Sequence, residues 1–593
     1  MDKLNQNWNL EVIYNSTNEL HVYLHQLEED LQVLARGINS FSTISIVDAN
    51  KMTILLLDLG MNKGKLSQAT SYITCLLAQN PLDEKATLLQ GKVTKLSSQF
   101  EHTLTKAKNI IAQISPELWE VLIESPIVND FKFILIEWRN AGNTSLTHNE
   151  QAMLSSLTTD GYHAWGQMYQ TLMGNFKIEL QIEGKKHTYS VGQALNLRAH
   201  PDEHIRKFAH ESLEKEWAEH QQNFAKILNH LVGFRIQMNQ LQGIEDALDE
   251  PLRKNRMKKK TLDAMWSAVS KHKQPFVSYL NHKAKMNHDG KMQAFNFWAP
   301  IASVGNKIHF DDAINLIVEH FSKFGPKLKA FAVNAFEDGW VEAENRPGKS
   351  SVAFCASFPM SAESRVFMTF DGTMKSVLTL VHELGHAFHN FAMTDISGLN
   401  REYPLSIAET ASTFAEMIVL EAAMENATSI QEKISLLDEK LKRSVMNFMN
   451  IHSRFLFELK FYEERKKGLV AVHRINELMH EAIKEGYEDS VEEVSVYTWL
   501  WTPHFYITKA PFYNFPYTFG YLFSLCLFAK YKEMGTAFEN AYIQLLRDSG
   551  KMSTEELVLK HLNEDITSEE FWEKGLKLCV QDVELFLQLT ALN

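Results

Sequence analysis

Residues Val381-His382-Glu383-Leu384-Gly385-His386-Ala387-Phe388-His389 leave this chain few options. Val377, Val381, Leu384, Phe388 and Phe391 recur at helical spacing with no proline among them, which predicts a helix with a buried apolar stripe. Just upstream, Asp371-Gly372-Thr373 reads as a turn with Thr373 as the helix N-cap. Two histidines four residues apart on such a helix sit about 40° apart around the axis and about 6 Å along it. Both imidazoles can then reach one ion from the same face. A buried imidazole pair without partners is costly, and a metal ion satisfies both rings. The competing reading is two histidines hydrogen-bonded within a core helix. Glu383 adjoins the first histidine and can serve as base toward a water that the metal activates. The pattern therefore points to metal-dependent hydrolysis, of peptides above all.

A catalytic zinc usually takes three protein ligands and keeps one position open. A histidine six residues beyond the second one would complete the metzincin spacing, but Ala392 stands there. A glutamate about twenty residues on would complete the thermolysin-like spacing, but positions 404–407 read Pro-Leu-Ser-Ile. The segment from Ser406 to Glu416 reads as a helix starting just after Pro404, with Ile407, Ala411, Phe414 and Ile418 on its buried side. Glu409 lies near its N-terminus, where a carboxylate is electrostatically favoured, and is the predicted third ligand. A first-turn glutamate facing water is the alternative. Glu416, two turns on and close to the same face, is either a partner of a ligand histidine or a surface glutamate, and it stays outside the predicted site. His389 is about 10 Å along the axis from His382, too far to share one tetrahedral ion, and reads as structural.

These residues resemble a known family. His-Glu-Leu-Gly-His-Ala-Phe-His at 382–389, followed by Ala-Glu-Thr-Ala-Ser-Thr-Phe-Ala-Glu at 408–416, is similar to the oligoendopeptidase F branch of the thimet-oligopeptidase-like zinc metallopeptidases. The resemblance extends to Trp8-Asn9-Leu10 with Tyr14, to Asn175–Leu197, to Leu252–Pro300 and to Lys349–Gly372. It implies a mainly α, multi-helix zinc endopeptidase with a small β-sheet beside a deep central cleft, acting on short peptides. It implies one zinc ion held by His382, His386 and Glu409, with Glu383 as general base. It also implies a later His/Tyr cluster that contacts the substrate carbonyl. The run from His504 to Tyr521 resembles that cluster, although the gap between His-Phe-Tyr and Pro-Phe-Tyr is longer than usual, and Phe515 and Pro516 interrupt the tyrosine series. His504, Tyr513 and Tyr517 are the predicted contacts, with Tyr521 as a further option. A non-catalytic, zinc-containing peptide-binding protein on the same scaffold is the alternative function, although such a protein would tend to have lost Glu383.

Other features bound the reading. The net charge of −13 opposes a nucleic-acid partner, and the basic run from Arg253 to Lys260 reads as the solvated start of a helix. Cys75, Cys355, Cys526 and Cys579 are scattered, and Met1–Asn7 carries no apolar core, which together predict a cytoplasmic chain with no disulfide framework. Ala510–Ala529 lacks charge, yet its two prolines and its tyrosines predict a buried wall rather than a membrane span. Phe176–Ile182 and His187–Tyr189 predict a β-hairpin across Glu183-Gly184. Val352–Ser357 and Val366–Phe370 predict two strands before the motif helix. The expected division is an N-terminal helical domain over 1–197, including the hairpin near 176–190, and a catalytic domain over 198–593. Oligomeric state is left undetermined.

Overall fold

A computed structural model describes residues 5–41, 48–142, 146–182, 184–301, 307–350 and 352–591. Met1 to Leu4, where a leader would begin, and Glu183 of the hairpin turn lie outside the described residues. The chain is mainly helical, with only short strands. It divides into two compact units, each assembled from three segments. The first comprises Met1–Asn143, Gly305–Ala422 and Lys530–Asp565; the second comprises Thr144–Val304, Ala423–Ala529 and Ile566–Asn593. The single cut near 197 expected above is a different partition, one made along the sequence alone.

In the first unit, the helices Thr17–Phe41, Ala49–Gln79 and Glu84–Ala112 pack together. Leu20, Leu24, Leu27, Leu31 and Leu34 recur every three or four residues and are all buried in one cluster. In the apolar run 54–57, Leu55 and Leu56 are buried while Ile54 and Leu57 are exposed, as a helix phase requires. The same core includes Ala356, Phe358 and Phe367 from a small sheet. That sheet has three strands: Val341–Glu342, Glu363–Phe367 and Phe354–Phe358, with Glu363–Phe367 in the middle. The middle strand pairs parallel with the first and antiparallel with Phe354–Phe358. Both expected strands are present, their bounds shifted to Phe354–Phe358 and Glu363–Phe367.

The N-terminal segment is stitched to this sheet. Trp8 packs on Phe354 and Phe367, with ring centroids 6.5 and 5.5 Å away. The buried guanidinium of Arg365 donates to the Asn9 carbonyl from Nε and Nη2 at 3.1 and 2.9 Å. Backbone bonds run from Asn9 N to Gly339 O and from Ala343 N to Gln6 O, each 2.7 Å.

In the second unit, Ile178–Ile182 and Lys185–Tyr189 form the expected antiparallel hairpin, with Ile178 opposite Tyr189. Pro201 precedes the helix Glu203–Leu241, which Asp202 caps by accepting from His204 N at 2.8 Å. The basic run is split: Arg253 and Lys254 end a short helix, Asp249–Lys254, and Lys259 and Lys260 open the helix Lys259–Lys271, whose Lys259 pairs with Asp246 at 2.8 Å. Asp438 is buried and satisfied by cations. It accepts from Lys283 at 2.8 and 3.0 Å and from the Tyr279 hydroxyl at 2.6 Å, and it pairs with Lys442 at 2.7 Å. Ala510–Ala529 feeds a helix, Phe515–Met534, and no described helix is long and apolar enough to cross a membrane. All four cysteines are free thiols.

Candidate metal centre

The motif lies on the helix Met374–Ala392. Gly372 takes the left-handed backbone at φ +79, which turns the chain into the helix. Thr373 is the N-cap, its hydroxyl accepting from Ser376 N at 3.2 Å. Val377, Val381, Leu384 and Phe388 are buried as the periodicity requires. Phe391 departs from the stripe: it is 46% exposed, while Ala392 beside it is buried and continues the core face.

The second half of the site comes from the segment after Pro404. The expected single helix is broken there. A short turn, Leu405–Ala408, stops at Glu409, and a new helix, Thr410–Asn426, begins. Ile407, Ala411, Phe414 and Ile418 are buried as expected. The break turns the Glu409 side chain to the motif helix, and the Ser412 hydroxyl donates to Glu409 Oε2 at 3.0 Å.

The two elements touch through backbone. A Cβ added to Gly385 would fall 2.5 Å from Ser412 Cα and 2.6 Å from the Ala411 carbonyl oxygen. Only a residue without a side chain lets the helices approach this closely. Gly385→Ala is therefore expected to destabilise the protein by about 1–3 kcal/mol, as overpacking does. It should also loosen metal retention by moving Glu409 outward. Thermal melting and metal content after dialysis check this; wild-type values for both would contradict the contact.

His382 Nε2 and His386 Nε2 lie 3.2 Å apart. Glu409 Oε2 lies 3.2 Å from the first and 3.6 Å from the second. Ligands at about 2.0–2.1 Å from one ion in tetrahedral arrangement stand about 3.3 Å from each other. The triangle thus has the size that one such ion needs. Among the described residues, these three form the group of His, Cys, Asp and Glu side chains able to hold a metal. A plain ion pair between His382 and Glu409 accounts for one edge of the triangle. It leaves two imidazole Nε2 atoms in contact, which is repulsive unless a proton or a cation lies between them.

The electrostatics favour positive charge at this point. His382 Nδ1 lies 2.7 Å from Glu416 Oε1 and donates to it, which leaves Nε2 as the nitrogen facing the triangle, where either a proton or a metal ion can sit. Burial alone would lower the His382 pKa, but the flanking Glu409 and Glu416 outweigh it and raise it to about 10. Burial would likewise raise Glu409, yet the two histidines and Ser412 hold it down at about 2. His386 is lowered to about 4 by burial. Glu383 is pushed up to about 7, first by burial and then by the neighbouring carboxylates acting against His382. Its side chain is buried. Beside it lies the Cys355 thiol, pushed up by burial and by the Glu383 charge.

Glu416, held outside the site on sequence, is hydrogen-bonded to His382 and so adjoins the candidate centre. Glu416→Gln is expected to weaken metal retention by about 10–100-fold without changing the fold. Competition with a chelator measures this. His389 makes no metal-facing contact. Its Nε2 lies 3.2 Å from Leu546 O and 3.0 Å from Ser549 Oγ, and its ring stacks on Tyr403 at 4.0 Å.

The later aromatic cluster is in the second unit and forms a group of its own. The His504 ring lies 5.2 Å from that of Tyr513 and 5.3 Å from that of Tyr517, and the two tyrosines are 5.5 Å apart. Tyr521 stands apart from this group, its hydroxyl 3.1 Å from Ser444 Oγ.

A mainly helical chain with a histidine pair, an adjoining buried glutamate and a converging third carboxylate defines a class, the metallopeptidases. The description "Peptidase family M3" matches residues 196–578, and "Oligopeptidase F" matches residues 111–178. The chain belongs to Peptidase family M3, in its oligoendopeptidase F branch. An oligoendopeptidase F homolog of Lactococcus lactis subsp. lactis is 22% identical over 96% of this chain and 95% of its own length. The chromosomal oligoendopeptidase F of Lactococcus lactis subsp. cremoris is 26% identical over 57% of this chain and 56% of its own length. The oligoendopeptidase-F structure from Enterococcus faecium superposes with a TM-score of 0.71 at 16% identity, covering 97% of this chain and 99% of that one. The protein is thus an enzyme, a metallopeptidase that cleaves internal peptide bonds, and its family implies a metal.

Proposed function

We propose that this chain is a zinc-dependent oligoendopeptidase that hydrolyses internal bonds of short peptides. One zinc ion would be held by His382, His386 and Glu409, with Glu383 as general base. The observation that carries the proposal is the triangle of two imidazole nitrogens and one carboxylate oxygen, all within 4.8 Å of one another. Two nitrogens and one oxygen are a donor set suited to zinc. When bound, zinc supplies a Lewis acid that polarises the scissile carbonyl and makes a water acidic.

The chain's own residues do the rest. Glu416 holds the Nδ1 hydrogen of His382 and so fixes its tautomer. Glu383 takes a proton from the attacking water and returns it to the leaving amine nitrogen. His504 and one of Tyr513 and Tyr517 donate to the carbonyl oxygen as negative charge develops on it; this role rests on the family resemblance. Among the described residues the strand Phe354–Phe358 is paired along one side only. Its other edge can add an extended peptide by main-chain hydrogen bonds, which grip a substrate with little side-chain selectivity. The proposal assigns catalysis to residues 198–593 and leaves 1–197 as an N-terminal segment.

The test is cleavage of an internally quenched peptide, with fragments identified by mass spectrometry, alongside zinc content. Internal cuts that stop with chelator and return with zinc are expected. Cleavage indifferent to chelation would sink the proposal. Peptide binding without cleavage by the zinc-loaded protein would favour the non-catalytic peptide-binding alternative.

A further inference from the structure

Beneath the His504–Tyr513–Tyr517 group lies a buried polar pair that the reaction above does not use. Asn514 is fully buried, and its Oδ1 lies 3.0 Å from His504 Nδ1. Its Nδ2 is buried without a hydrogen-bond partner. Glu458, on the helix Ile451–Lys466, is also buried. Its Oε1 accepts from Phe512 N at 3.0 Å, while its Oε2 has no hydrogen-bond partner. Phe512 has φ +54, a left-handed backbone rare for a bulky residue, and this bend turns its N–H onto Glu458. The carboxyl thus anchors the segment that carries Tyr513 and Asn514. The Asn514 side chain acts on Glu458 as a hydrogen-bonding neighbour that favours the carboxylate, although the contact between them is too loose for a full hydrogen bond.

We propose that Asn514, backed by Glu458, is the positioning residue that decides which nitrogen of His504 carries the proton. This rests on the reading that His504 contacts the substrate carbonyl. The argument follows from hydrogen-bond inventory. With Asn514 Oδ1 toward the ring, His504 Nδ1 must carry the hydrogen, and its outer Nε2 is a bare acceptor that repels an oxyanion. With the amide turned over, Nδ2 donates to Nδ1, and Nε2–H becomes the outward donor. The turned amide then points Oδ1 at residue 458, which must donate to it. A neutral Glu458 can donate from Oε2, whereas an ionised one can only accept and holds the amide in the first orientation.

The surroundings support a carboxyl that is often neutral. Burial raises Glu458 to about 7, against the Phe512 N–H, Arg235 and the Asn514 side chain, which lower it. Tyr162 and Tyr462 also face it with neutral hydroxyls. His504 is itself lowered by burial, with Arg454 acting in the same direction, so it stays neutral and its tautomer matters. Below the Glu458 pKa the donor form of His504 is available; as pH rises through that value it is lost.

The test uses the full chain loaded with zinc and a quenched peptide, comparing wild type, His504→Ala, Asn514→Leu, Glu458→Gln and the His504→Ala/Asn514→Leu double variant. Asn514→Leu should lower kcat and kcat/KM together, toward the about 10²–10³-fold cost of losing one oxyanion donor. The double variant should be no worse than His504→Ala alone, because Asn514 acts only through the ring. Glu458→Gln keeps the shape, still accepts from Phe512 N, and carries a permanent amide donor. Its activity should persist through the alkaline range in which the wild type declines.

Additive losses in the double variant, or the wild-type alkaline decline unchanged in Glu458→Gln, would overturn the proposal. If Asn514→Leu melts early, the Glu458→Gln profile alone decides. Wild type that cleaves no peptide, or His504→Ala with wild-type kcat, would instead refute the underlying reading of the site.

Discussion

Glu383→Gln is expected to lower kcat for a quenched peptide by about 10²–10⁴-fold, the usual worth of a positioned general base, while zinc content stays at the wild-type level. The separation of the two readouts follows from geometry. Glu383 is on the motif helix next to His382, yet the group that converges on the candidate ion comprises His382, His386 and Glu409. Glutamine matches glutamate in shape, so the buried packing at this position is kept. The amide has no basic oxygen to take a proton from water, and the second half of the reaction, proton delivery to the leaving nitrogen, fails with it. Substrate binding does not need that proton, so KM should change little. Near-wild-type kcat in a zinc-loaded Glu383→Gln protein would remove Glu383 from the mechanism.

Glu409→Ala should instead empty the site. The lost oxygen is one corner of a triangle whose other corners are 3.2 and 3.6 Å away. It is also the charge that balances the ion. Zinc affinity is expected to fall by more than the about 10–100-fold that removal of an outer partner costs. Activity should return only in part at high zinc. The variant should still fold, because Glu409 lies at a break between helical segments while the flanking Ile407 and Ala411 remain buried. Full zinc occupancy after dialysis would show that the ion, if bound, is held by other residues.

What could be read from the sequence was what local chemistry fixes. The Thr373 cap, the buried stripe of the motif helix and the 178–189 hairpin each depend on residues within one or two turns of each other. Two other features resisted reading because their cause is distant. The third strand of the small sheet is two residues long, Val341–Glu342, and shows no alternation; only its pairing with Val366 and Phe367 makes it a strand. The helix break at Glu409 comes with no breaker residue in its own segment, and the backbone just after it packs against Gly385 of a distant helix.

The site divides in the same way. The convergence of the histidine pair with Glu409 was legible, since a fixed spacing and the segment after Pro404 point to these three side chains. Glu416 was not, because its helix phase allowed it to face His382 but could not say that His382 would be there. The tyrosine series was ambiguous for the same reason. Ser444, from another helix, engages the Tyr521 hydroxyl, and nothing near Tyr521 in sequence announces it. Asn514 looked like one polar residue among aromatics until its amide met the His504 ring.

The order of the three segments in the first unit bears on how the protein is made. A chain growing from its N-terminus has every proposed metal-facing side chain once Glu409 has been synthesised. The underside of the motif helix, however, is closed by residues that come much later: Leu546 O and Ser549 Oγ beside the buried His389, and Arg547 paired with Asp395 at 2.7 Å. Until then His389 has no carbonyl or hydroxyl to meet, and the helix has an open apolar flank. The ribosome thus releases the proposed ligands well before the residues that pack beneath them, so formation of the proposed metal centre and completion of this unit are separated in time by the synthesis of residues 423–529.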